Sequence, residues 1–75
     1  MNKLEKQIKD IKQFKLTKEQ LERSLEHNID KIESINFLLK SNYHFSKEFK
    51  EMAQDEIKRI ELILSGLRVV IREME

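Results

Sequence analysis

LERSLEHNIDKIESINFLL, residues 21 to 39, is the stretch that decides the fold. Leu21, Leu25, Ile32, Ile35 and Leu39 follow one another at spacings of 4, 7, 3 and 4. Side chains at such intervals share one side of an α-helix, so the stretch is a helix with a single apolar stripe. A stripe of this kind needs covering, and the flanking sequence shows what can cover it.

Downstream, Phe49, Ala53, Ile57, Ile60, Ile63, Leu64, Leu67, Val70, Ile71 and Met74 give a broad apolar face to a helix over about residues 47–74. Ser46 is suited to cap its start, and Glu48 suits the positive end of the helix dipole. Asn42-Tyr43-His44-Phe45 forms the connection, and Asn42 tolerates the left-handed conformation that ends a helix. A connection this short turns consecutive helices back on each other. The two helices would be about 36 and 42 Å long, close enough to pair throughout.

Upstream, a short helix over about residues 2–15 has Asn2 as its cap, Glu5 three residues on, and Leu4, Ile8 and Ile11 as a narrow apolar face. Lysines at 3, 6, 9, 12, 15 and 18 spiral around it and, against Glu5, Asp10 and Glu19, leave the first twenty residues at +3. Next comes Leu16-Thr17-Lys18-Glu19-Gln20-Leu21. Thr17 and Gln20 make a capping box, and Leu16 and Leu21 a hydrophobic staple, so a new helix begins at Lys18 and runs to about 41. A competing reading stands beside this one. Leu4, Ile11 and Phe14 share the heptad register of the later stripe, and nothing between 15 and 18 forbids a single helix of about forty residues.

The expected architecture is all-α: an antiparallel helical hairpin of two long helices with a short N-terminal helix, assembled as a homodimeric helical bundle. A chain that is 39% charged, with one Gly and no Pro, has the composition of long helices. Seventy-five residues make one domain with little core of its own. Without Cys, and with two His at no metal spacing, a second chain is the remaining stabiliser. Leu21, Leu25, Ile32, Ile35 and Leu39, with Ile60, Leu64, Leu67 and Ile71, are the candidate self-association residues. Asn28 and Asn42 occupy seam positions, where a buried Asn can fix register, and Glu56 lies at the margin of the third helix's face. The aromatic residues Phe37, Tyr43, Phe45 and Phe49 are expected to plug the closed end of the hairpin.

Two surfaces are candidates for a partner. Glu22, Glu26, Asp30 and Glu33 share one sector of the second helix, which Phe37 continues. Like charges four apart cost a few tenths of a kcal/mol per pair, offset either by the lysines of the first helix folding back or by a basic partner anchored on Phe37. Leu62, Gly66 and Val69 lie opposite the main stripe of the third helix. A Gly inside a helix costs about 1 kcal/mol, so Gly66 implies close approach of another backbone or a kink at Ser65-Gly66.

The rest of the sequence narrows the function class. A net charge of +1 favours neither a dedicated nucleic-acid binder nor an acidic mimic. MNKLEKQIKD lacks the apolar core of a signal peptide, and the longest apolar runs, 62–64 and 69–71, are too short to span a bilayer, so a cytoplasmic protein is expected. His27 and His44 have no ligand partner at metal spacing. There is no Cys nucleophile, glycine-rich phosphate loop or acid–base pair in a plausible pocket, and so neither catalysis, metal nor cofactor is expected. In size and helical style the chain resembles small phage- or mobile-element-encoded inhibitors and bacterial helical-hairpin regulators, a likeness that transfers no residue role. The leading expectation is a regulatory adaptor or inhibitor that binds a partner protein. The alternatives are a nucleic-acid-associated regulator using the lysine-rich first helix, and a structural coiled coil or assembly chaperone.

Overall fold

The computed structural model describes residues 1–41 and 44–75. Over these the chain is all-helical: α1 is Lys3–Gln13, α2 Lys18–Lys40 and α3 Lys47–Glu73. Each helix begins at a polar side chain that accepts a backbone N–H. Asn2 accepts from Glu5 at 2.7 Å, Thr17 from Gln20 at 3.2 Å, and Ser46 from Phe49 at 3.1 Å. At Thr17 the box is closed by the Thr17 N–H donating to Gln20 Oε1 at 2.9 Å. Such caps satisfy donors that the helix itself leaves free, and each contributes about 1 kcal/mol.

The chain therefore bends before Thr17, and a continuous helix across residues 14–21 does not form. The bend falls on Lys15, whose φ of 50° is left-handed. A residue with a β-carbon enters that region at a cost of about 1 kcal/mol or more. The Phe14 N–H donates to Ile11 O and the Lys15 N–H to Lys12 O, both at 3.2 Å, which closes α1 in a manner usually left to Gly. This is why α1 stops at Gln13 rather than at 15. The expected cap at Asn42, and Tyr43, lie outside the described residues.

α3 is the spine. Both α1 and α2 pack on it, and the backbones of α1 and α2 do not approach each other among the described residues. The long dimension of the molecule, 44 Å, is about that of α3 alone, 27 residues at 1.5 Å each. Ile11 of α1, Leu21 of α2, and Leu67, Val70 and Ile71 of α3 form one buried cluster, with Ile8, Leu16, Leu25 and Ile63 packed against it. Both members of the expected staple, Leu16 and Leu21, belong to it.

The place of α1 corrects one expectation. Its lysines do not cover the acidic stripe of α2. α3 offers α1 an apolar surface, whereas exposed charge pairs are worth little in water. Lys3 sits beside Asp55, Lys58, Arg59 and Leu62, and Lys12 pairs with Glu73 at 2.7 Å, so α1 runs in the same sense as α3. Gly66 lies beneath it. A β-carbon at that position would stand 2.9 Å from Ile11 Cδ1 and 3.0 Å from Gln7 Cγ. The glycine does permit close approach of another helix, and that helix comes from the same chain.

With 11 residues against 27, α1 spans about 16 Å of a spine of about 40 Å. The molecule is three helices deep toward the C-terminus of α3 and two deep over its first turns. Among the described residues, every buried apolar side chain, Ile11, Leu21, Ile60, Leu64, Leu67, Val70 and Ile71, lies in the deeper part.

Candidate functional site

The shallow part of the molecule carries an open apolar groove. α2 contributes Ile35, Leu38 and Leu39; α3 contributes Phe49, Met52 and Ala53; Glu56 closes one end. Its volume is about 320 Å³. The side chains here follow from helical spacing: 35, 38 and 39 make one turn of a single face, and 49, 52, 53 and 56 make two. What sets this groove apart is the missing cover. Met52 is 71% exposed, Leu38 43% and Phe49 41%. Met52, Arg59, Gly66 and Glu73 are seven apart and so share one side of α3, drifting by about 20° each time. α1 covers that side at Gly66 and Glu73 but ends short of Met52.

Phe45 stacks on Phe49 with ring centroids 4.5 Å apart and planes inclined by 25°, which stiffens the entry to α3. At the other end, Arg59 Nε donates to Glu56 Oε2 at 3.1 Å and Arg59 Nη2 donates to Glu56 Oε1. The Arg59 hydrogen bonds hold the Glu56 carboxyl below the ordinary carboxylate range, against a smaller opposing effect of desolvation and with help from the charges of Arg59 and Lys31. Glu56 and Ile35 also border a second depression lined by His27, Asp30, Lys31, Ser34 and Ile60. An apolar floor thus runs into a charged rim.

The residues singled out in the sequence take varied places. Glu22, Glu26, Asp30 and Glu33 are all exposed, and none enters an ion pair among the described residues. Phe37 is 73% exposed, so it does not act as the core plug expected of it, and Phe14, equally exposed, packs into no core. Leu62 and Val69 are half-buried, while Gly66 is fully buried beneath α1 and presents nothing to a partner. Leu21, Ile60, Leu64, Leu67 and Ile71 are buried within one chain; Leu25, Ile32, Ile35 and Leu39 are half-buried. Asn28 donates from its side chain to Ser24 O at 2.7 Å and so satisfies itself within α2. Asn42 lies outside the described residues. His27 and His44 are exposed, and no group of three potential metal ligands occurs among the described residues.

Phe49 was not separable from core residues by periodicity, and Leu38 and Met52 fall outside the two apolar faces that periodicity picks out. The signal that marks them is the mismatch between the length of α1 and that of α3. No helix among the described residues is long and apolar enough to cross a membrane. No protein-family model, curated protein or solved structure matches this chain.

Proposed function

We propose that this chain is a small, non-enzymatic regulatory module, an adaptor or inhibitor, that binds a partner protein through the groove between α2 and α3. One observation carries the reading: three large apolar side chains, Leu38, Phe49 and Met52, stand open together in one groove with a charged end. A Met- and Phe-lined groove suits the apolar face of a helix, since Met adapts to irregular shapes. The acidic stripe with Phe37 is a second contact area for the same partner, favouring a basic one. The antiparallel pairing of α2 with α3 belongs to this proposal. So do a homodimeric assembly, residence in the cytoplasm and an origin in a phage or mobile element.

The nucleic-acid reading has less behind it. Lys12 and Lys18 are engaged by Glu73 and Glu75, at 2.7 and 3.5 Å, which reduces the basic surface of the N-terminal region. Within the single chain, the bend at Lys15 interrupts the long helix that the coiled-coil reading needs.

The test places a photoreactive phenylalanine derivative at position 52 and compares it with the same group at Lys58. Irradiation with host proteins should give a discrete adduct from position 52, weaker from 58, and lost when Leu38→Glu is added. Adducts that are absent, or indifferent to Leu38→Glu, would sink the proposal.

A further inference from the structure

We propose that two copies of this chain exchange α1: in the pair, α1 and α2 of each chain join into one unbroken helix through residues 14–17, and α1 docks on the face around Gly66 of the other copy. This does not rest on the groove reading, since the groove lies at the opposite end of α3.

The first observation is the seam. In the folded chain Gln7 and Ile11 face Gly66, and Leu21 and Leu25 pack with Leu67, Val70 and Ile71. Positions 4, 11, 18, 25, 32 and 39, with 7, 14, 21, 28 and 35, make one heptad pattern that passes through the bend without a change of register. Both helices therefore meet α3 with the same seam. Straightening the bend leaves these seam contacts available, with α1 now meeting the α3 of another copy; Leu16, which packs on the cluster in the bent form but lies off the seam, leaves it and so opposes the change.

The second observation is the bend itself. It contains neither Gly nor Pro, and Lys15 holds a left-handed conformation that suits it poorly. Short strained hinges are where exchange of an element between copies begins. Phe14 is 73% exposed in the bent form although it occupies a seam position. In the straight form it lies where the two long helices cross, against its counterpart. The capping box at Thr17 opposes the change, and so does the loss of independent motion on pairing. The exchange is thus favoured by concentration.

The native ion pairs supply the assay. Lys12 belongs to α1 and pairs with Glu73; Lys18 belongs to α2 and pairs with Glu75. Exchange sends the first pair between chains and keeps the second within a chain. Equal amounts of 14N- and 15N-labelled full-length chain are unfolded and refolded together over a concentration series. Zero-length carbodiimide coupling then joins the paired amines and carboxylates, and mass spectrometry reads the label on each linked peptide.

The expected result is mixed-label Lys12–Glu73 links that increase with concentration, beside label-pure Lys18–Glu75 links. Thr17→Ala should tighten the pair by about 25-fold, about fivefold for each of two lost caps. Lys15→Gly, which fits the bend and weakens the straight helix, should loosen it by a similar factor. Label-pure Lys12–Glu73 links in both the natural chain and Thr17→Ala at every concentration overturn the proposal. Mixed-label Lys18–Glu75 links overturn it too, because they mean pairing by another route. So do mixed-label Lys12–Glu73 links that neither substitution shifts.

Discussion

Ile11 Cδ1 lies 2.9 Å from the point a β-carbon at Gly66 would occupy. Ala at 66 gains about 1 kcal/mol of helix propensity and loses more through overpacking, since Ile11 is buried and Gln7 Cγ, at 3.0 Å, crowds the same point. Gly66→Ala should therefore destabilise by about 1 kcal/mol in a denaturant titration. Gly66→Leu should release α1 altogether, seen as a fall in the denaturant slope. Adding Ile11→Val to Gly66→Ala removes the crowding atom, so the double variant should be more stable than the two single losses sum to. Simple additivity would mean the contact is not what disfavours the β-carbon.

Lys15→Gly should stabilise the single chain by roughly 0.5 kcal/mol or more. The gain is the relief of a left-handed residue, reduced by the added freedom of the unfolded chain. Thermal unfolding at low protein concentration measures it, and a lower melting temperature would contradict the strained bend at φ 50°.

The two ends of α3 should respond differently to truncation. Leu21→Ala removes a side chain only 1% exposed in the three-helix part and should cost about 3 kcal/mol. Met52→Ala, in the groove, should cost less than about 1 kcal/mol, because little of it is buried. Chemical denaturation of both variants makes the comparison, and equal losses would mean the groove is covered.

The pH dependence of Glu56 has a definite sign. Its folded pKa is held down, chiefly by the Arg59 hydrogen bonds, so its contribution is present above the unfolded value and is lost as pH falls through the folded one. Glu56→Gln should remove a small part of the acid-side loss of stability. Added salt should shrink the same difference, as the pair stands in solvent. A difference that grows with salt would exclude the ion pair as its cause.

The local parts of this fold were legible in the chain. Asn2, Thr17 and Ser46 cap the helices they were expected to cap, since a side-chain oxygen and a backbone N–H three residues apart need no distant partner. The depth of packing was less legible. Periodicity shows that Leu62, Gly66 and Val69 form a side of α3, but not that α1 rather than a second molecule lies on it. Helix faces report that they need cover, while the bend at Lys15, which decides who covers them, depends on a four-residue balance between caps and strain. Phe37 and Phe14 show the same limit from the other side. Aromatic residues near a connection are expected in the core, yet no third helix reaches Phe37, and Phe14 sits on the outside of the bend.

The short reach of α1 also grades the cohesion of the molecule along its spine. Amide hydrogens around Leu64 to Ile71, where three helices pack, should exchange only when the whole chain opens, whereas those over the first turns of α3 should exchange through smaller, more frequent openings. A partner that closes the groove would act where the chain has most order left to gain. Its arrival would be registered as slowed exchange between Phe49 and Glu56, and as a rise in melting temperature that scales with partner concentration.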